Sequence, residues 1–187
     1  MLKKVAITGN IASGKSQVEK FLAEKFPVYD ADKIAHQILD ELDDFLGYDV
    51  LTDGKIDRKK LGKLVFENKE LKQKLEEIIH PKVKEKILEL FQKHQNDKLI
   101  FISVPLLFEA GFEGLFDEIL FISVDKEIQL KRLMSRNNFT KEEALLRMNS
   151  QLNPEEKIKK SDYVINNNGS IEELKKLVIE YINNVTK

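Results

Sequence analysis

Lys3-Lys4-Val5-Ala6-Ile7-Thr8-Gly9-Asn10-Ile11-Ala12-Ser13-Gly14-Lys15-Ser16 is the stretch on which the reading of this chain turns. Lys3 to Thr8 is a short apolar run that reads as a buried strand and ends at Gly9, and from Ser16 the spacing Val18, Phe21, Leu22 takes a helical period. Between strand and helix, Gly9 to Ser16 fits G-x-x-x-x-G-K-[ST], a loop that aims backbone amides at phosphate oxygens where a helix begins. The strand before it and the helix after it are the context this pattern requires. Gly9 and Gly14 permit close approaches that a Cβ would obstruct, and Asn10, Ile11, Ala12 and Ser13 contribute backbone amides. Lys15 brings a cation to the β and γ phosphates, and the Ser16 hydroxyl is the candidate ligand for Mg²⁺. The loop is expected to bind a nucleotide.

Further along the chain, Leu99 to Val104 and Ile119 to Val124 lack polar alternation, as parallel strands covered on both faces do. Shorter strands are expected at Pro27 to Tyr29 and Asp162 to Ile165. Helical spacing recurs at Ile34, Ile38 and Leu39, at Leu61, Leu64 and Val65, and at Leu71, Leu75, Ile78 and Ile79. His80-Pro81 is expected to end this last helix, with Pro81 opening another through Val83, Ile87, Leu88 and Phe91. Three more helices fit Lys126 to Arg136, Lys141 to Met148 and Ile171 to Ile182. Strands alternating with helices predict an α/β fold on a parallel sheet.

The chain of 187 residues suits one domain carrying an insertion. Its 42% hydrophobic content can fill a core. With no cysteine, disulfides, thiolate nucleophiles and cysteine-bound metals are excluded, and a reducing cytoplasm is the expected location. No apolar run approaches the roughly 20 residues that span a bilayer, so no membrane association is expected. A formal charge of −1 argues against a bulk basic nucleic-acid binder. The charge is uneven, however: residues 30–53 carry −7, residues 55–93 carry +5 and residues 129–160 carry +4. Most of these charges read as solvated helix surface, Lys131, Lys141, Lys157, Lys159 and Lys160 among them. His36, His80 and His94 lack metal-ligand spacing, so no zinc site is expected.

A guanine-reading N-K-x-D motif is missing, since Asn68-Lys69-Glu70-Leu71 ends in leucine, and Asp44-Phe45-Leu46-Gly47 matches D-x-x-G with no strand before it. A compact small-molecule kinase is favoured over a switch GTPase. Kinase chemistry needs a carboxylate at the acceptor hydroxyl and cations around the transferring phosphoryl. Asp30 and Asp32 follow the second short strand, where alternate residues of an extended approach share a face. One of them orients the acceptor, or one or both cap the helix near Lys33, and the residues alone weigh these equally. Arg132 and Arg136 are four apart on one helix, with Arg147 on the next, a set suited to phosphate oxygens on a lid. Asp125 after Ile119 to Val124 imitates a Walker B acid but is better read as a helix cap. Glu109 is either a support for substrate or metal-bound water, or a plain loop acid.

Taken in order, these residues resemble the dephospho-coenzyme A kinase family. The likeness runs through the loop after Ile7-Thr8, Asp30-Ala31-Asp32, Gly54-Lys55-Ile56-Asp57-Arg58, Leu61-Gly62 and His80-Pro81. It continues through Val104-Pro105-Leu106-Leu107-Phe108-Glu109, Gln129, Arg132, Arg136, Arg147, Gln151, Asp162 and Val164-Ile165-Asn166. The resemblance implies a P-loop core of the adenylate-kinase type across residues 1–187, with a helical CoA-binding insertion at about 33–95 and an arginine-bearing lid at about 127–160. It implies transfer of the ATP γ-phosphoryl to the ribose 3′-hydroxyl of dephospho-CoA, with Mg²⁺, on small-molecule substrates and with no obligate protein partner. By this likeness Asp32 orients the acceptor with Asp30 in support, and Thr8 lies near it. Lys15, Arg132, Arg136 and Arg147 supply phosphate-directed charge, His80 faces the CoA portion, and the turn from Asn166 to Gly169 borders the adenine. Asn10 and Ala12 stand where the family usually has glycine, and Ala12 is costly there if its φ is positive. The remaining alternatives are another metabolite or nucleotide kinase and a non-catalytic nucleotide switch.

Overall fold

The computed structural model describes residues 1–41, 50–52 and 55–186. The string Asp44 to Gly47, and Gly54, lie outside the described residues. Contacts gather the chain into two compact units, one of Met1–Tyr29 with His94–Lys187 and the other of Asp30–Lys93.

The first unit is built on β1 (Lys3–Gly9), whose residues Val5 to Thr8 are fully buried. It lies between β5 (Leu99–Ser103) and β6 (Glu118–Ser123), parallel to both, with Val5 opposite Phe101 on one side and Glu118 on the other. The short β2 (Val28–Asp30) and β7 (Tyr163–Asn166) complete a five-stranded sheet of order β2-β5-β1-β6-β7. Neighbours of β1 thus leave in opposite directions along the sheet, which creates a switch point where the loop after β1 begins. Every residue of β5 is buried, as expected of a strand with no polar alternation.

One face of the sheet is covered by α1 (Lys15–Ala23) and α8 (Ile171–Val185). Val5, Ile7, Phe101, Leu120 and Ile122 meet Val18, Leu22, Leu174, Val178 and Tyr181 in the main core. Tyr181 donates its hydroxyl proton to Glu118 Oε1 at 2.6 Å, and burial pushes that phenol's pKa far up. After β6 come α5 (Lys126–Asn137), α6 (Lys141–Asn149) and α7 (Pro154–Lys159). Capping boxes start α6 at Thr140 and α8 at Ser170, each with a glutamate three residues on.

The second unit holds α2 (Ala31–Asp40), a two-stranded antiparallel sheet of β3 (Leu51–Thr52) and β4 (Lys55–Ile56), α3 (Arg58–Glu67) and α4 (Lys69–Lys93). Its core is small: Val50, Ile56, Leu61 and Leu71, with Leu39, Leu64, Val65, Leu75 and Ile78 half-buried against them. The hairpin was not expected from helical spacing, although Asp53-Gly54 between its strands is a strong two-residue turn signal. The break expected at His80-Pro81 is also absent, because α4 runs 25 residues with Pro81 inside it. Leu71, Ile79, Val83, Ile87 and Phe91 are buried along it in steps of four or eight, a stripe that winds round the helix because each step of four turns it by about 40°. Burial of that stripe outweighs the roughly 3 kcal/mol an interior proline costs.

Candidate active site at the glycine-rich loop

The loop from Gly9 to Ser16 joins the buried end of β1 to the first turn of α1. Thr8, fully buried, donates through Oγ1 to the Pro105 carbonyl at 3.4 Å. A Cβ on Gly9 would lie 2.7 Å from both Ile122 O and Ser13 Oγ, so only glycine fits between β6 and the loop. The Ser13 amide donates back to Asn10 O at 3.0 Å and closes a turn. Gly14 precedes α1 with φ 91°, a left-handed conformation suited to glycine. Ala12 also has positive φ, 59°, so the strain that the sequence made conditional is present.

Lys15 Nζ donates to Glu19 Oε1 at 2.7 Å and to Ser103 Oγ, and Ser103 Oγ donates to the same carboxylate oxygen at 2.6 Å. The lysine is therefore held across the end of β5 by two polar partners. Ser16 is exposed at the second position of α1, a usable placement for a hydroxyl that joins phosphate oxygens around Mg²⁺. Among the described residues no group of three His, Asp or Glu side chains could hold a metal by itself.

Three buried polar atoms at the loop lack a hydrogen-bond partner: Asn10 Oδ1, Ser13 Oγ and Arg132 Nη1. The last lies 3.9 Å from where a Cβ of Gly14 would stand, so α5 brings a guanidinium beside the cradle. Of these, Ser13 Oγ and Arg132 Nη1 are donors, and buried donors left unsatisfied beside amides at a helix start fit an anionic ligand such as a triphosphate. The other two arginines expected on a lid, Arg136 and Arg147, are not gathered there. Arg136 is exposed with Nε donating to Asn137 Oδ1 at 2.9 Å, and the Arg147 guanidinium lies 5.3 Å from the centre of the Phe139 ring.

Asp30 ends β2 and caps α2, its Oδ1 accepting from the amides of Asp32 at 2.9 Å and Lys33 at 3.4 Å. Asp32 already belongs to the first helical turn and is exposed, so the expected alternation of the two acids on an extended strand face is wrong. The cap is Asp30. His80 is half-buried in the middle of α4.

Two further readings need correction. Asp125 occupies the cap position of α5, but its carboxylate makes no capping bond, and its amide donates to Asn168 Oδ1 at 2.8 Å. Lys157 is not solvated: its side chain is fully buried, with Nζ 2.8 Å from Glu109 Oε1 in a charge pairing that lacks hydrogen-bond alignment. Glu109 Oε1 also accepts from the Leu152 amide at 3.4 Å. Sequence reasoning missed Glu19, Ser103 and Asn167 as partners of the loop. Only Glu19, four residues from Lys15 on one helix, carried a signal.

The sheet order, the strand-loop-helix with Lys15 and Ser16, and the guanidinium over the loop define a P-loop fold of the small-molecule kinase class. Shikimate kinase from Acinetobacter baumannii shares this fold at TM-score 0.56 and 15% identity, over 98% of this chain and 94% of that one. A family model described as dephospho-CoA kinase matches residues 3–173. A dephospho-CoA kinase of Listeria monocytogenes is 42% identical over 100% of this chain and 99% of its own length, and one of Fusobacterium nucleatum 49% identical over 93% and 94%. Among solved structures, dephospho-CoA kinase from Campylobacter jejuni superposes at TM-score 0.78 with 38% identity, covering 100% of this chain and 98% of that one. The chain belongs to the dephospho-CoA kinase family.

Proposed function

We propose that this chain transfers the γ-phosphoryl group of ATP to the ribose 3′-hydroxyl of dephospho-CoA, which makes coenzyme A and ADP. The observation that carries this is likeness to dephospho-CoA kinases along the whole chain, joined to an intact Gly9 to Ser16 cradle with Lys15 in place. In this reading the loop amides and Arg132 hold the phosphates, and Lys15 exchanges its contacts with Glu19 and Ser103 for β and γ oxygens. Asp32, exposed on the first turn of α2, accepts the proton of the acceptor hydroxyl or orients it, and Asp30 supports it by capping that turn. Mg²⁺, with Ser16 as its candidate protein ligand, would neutralise charge between the β and γ phosphates.

Residues 1–187 then act as one kinase domain, in which about 33–95 form the CoA-binding insertion with His80 and about 127–160 form a lid. Arg136 and Arg147 are assigned to that lid as phosphate-directed charges that reach the transferring group on closure. The turn from Asn166 to Gly169, which lines a cavity of about 530 Å³ with Glu173 and Leu177, is assigned to the adenine. The reading places the reaction in the cytoplasm, on small-molecule substrates alone. No described helix is long and apolar enough to cross a membrane.

The test is ADP release from ATP and Mg²⁺ with dephospho-CoA, AMP, CMP or shikimate as acceptor. Dephospho-CoA should be strongly preferred and the product should carry its new phosphate at the 3′ position. Preference for another acceptor would move the chain to a different kinase reaction, and no stimulation by any acceptor would point to a nucleotide-binding switch.

A further inference from the structure

Two carboxamide side chains, far from the loop in sequence, hold its carbonyls from behind. Gln129 of α5 donates from Nε2 to Ile11 O at 2.8 Å, and Asn167, just past β7, donates from Nδ2 to Ser13 O at 2.8 Å. Both are nearly enclosed, 4% and 6% exposed. Asn167 is itself fixed, its amide donating to Ser123 O at 2.8 Å.

A trans peptide points its C=O and its N–H in opposite directions. Holding the Ile11 carbonyl therefore turns the Ala12 N–H away from Gln129, and holding the Ser13 carbonyl turns the Gly14 N–H away from Asn167. Among the described residues neither of these amides has a protein acceptor, whereas the Ile11 N–H donates to Gln151 Oε1 at 2.8 Å. Asn167 also bears on the choice of residue at position 14, because a Cβ there would lie 2.1 Å from its Nδ2. The Arg132 guanidinium borders the same point.

We propose that Gln129 and Asn167 are positioning residues for the phosphate cradle, pinning alternate carbonyls of the loop so that the Ala12 and Gly14 amides present their protons to the triphosphate. This rests on the reading of the loop as a triphosphate site. It assigns Asn167 to the phosphates, while its neighbours in the turn remain with the adenine.

Gln129→Glu and Asn167→Asp replace each donor with an acceptor at nearly the same volume, and Gln129→Met removes the donor without adding charge. The probe is inorganic tripolyphosphate, which has no base or sugar, measured by calorimetry with the full chain beside ATP and dephospho-CoA kinetics. Each variant should bind tripolyphosphate about tenfold more weakly, the scale of one misdirected hydrogen bond, with KM for ATP rising in step. KM for dephospho-CoA should stay within about twofold, a split that general loosening of the fold would not produce. Should Asn167→Asp fail to fold, Gln129→Met carries the same test. Variants that fold and bind tripolyphosphate as tightly as the wild type overturn the proposal. A wild type that binds neither tripolyphosphate nor ATP overturns the triphosphate reading beneath it as well, and the two failures are thereby distinguished.

Discussion

Ala12 carries its side chain at φ 59°, where an L residue other than glycine is strained by about 1–2 kcal/mol. The strain is held by its surroundings: Ala12 and Ile11 pack with Leu130, Leu133, Met134, Phe139, Ala144 and Met148. Ala12→Gly relieves the strain but adds freedom to the unfolded chain and removes a methyl from that cluster, so a net gain of only about 0.5 kcal/mol is expected. Thermal unfolding should show a melting temperature raised by a few degrees at most, and a clear fall would mean that packing of the methyl outweighs the backbone. Asp32 tests the chemistry at the same scale. Asp32→Asn should keep ATP binding within about twofold while turnover falls at least a hundredfold, since proton transfer by a placed side chain contributes about 10²–10⁴. Near-normal turnover in a steady-state assay would remove Asp32 from that role.

Among the elements, α4 shows how burial overrides a local signal. Proline both lacks the N–H and crowds the preceding turn, yet Leu71 and Ile79 before Pro81 and Val83, Ile87 and Phe91 after it are all buried. Pro81→Ala should restore the missing hydrogen bond and stabilise the chain by about 1–2 kcal/mol, less than the full proline penalty because the unfolded state also gains freedom. Urea denaturation followed by far-ultraviolet circular dichroism would show the gain, and a loss would mean that the proline shapes a bend that the packing needs. The helix starts show the opposite case, where local chemistry was enough. Asp57 caps α3 and Asn153 caps α7 with Pro154 directly after it, as short-range rules require.

Over the molecule as a whole, long-range polar contacts tie the cradle to segments more than a hundred residues away. Gln151 Oε1 accepts from Ile11 N, and Asn10 Nδ2 donates to Leu152 O at 3.4 Å. Behind that segment lies Lys157, fully buried against a Glu109 carboxylate that keeps 24% of its surface exposed. This asymmetry sets the order of two variants. Glu109→Gln leaves an enclosed ammonium without its counter-charge and should cost about 3 kcal/mol. Lys157→Met leaves a carboxylate that reaches water, so it should cost clearly less, and the double variant should recover much of the loss. Equal costs from chemical denaturation would show that the pair is not acting through charge.

The phosphate loop, the parallel core strands and most helices were legible in the sequence because each depends on short-range information. Strand composition, helical period and the spacing of Gly9, Gly14, Lys15 and Ser16 all lie within a few residues of the element they build. The Asp30 cap was legible as one of two options, and it is seen at the first turn of α2. What stands behind the loop was not legible: Gln129 and Asn167 meet Ile11 and Ser13 across 118 and 154 residues. Lys157 likewise reads as one more surface charge among lysines until the fold encloses it beside Glu109. The amino-acid order alone thus determined where a phosphate could be gripped, since that geometry is local. Only tertiary packing decided which distant amides aim the grip and which charge loses its water, because those outcomes depend on segments that meet after the sheet has formed.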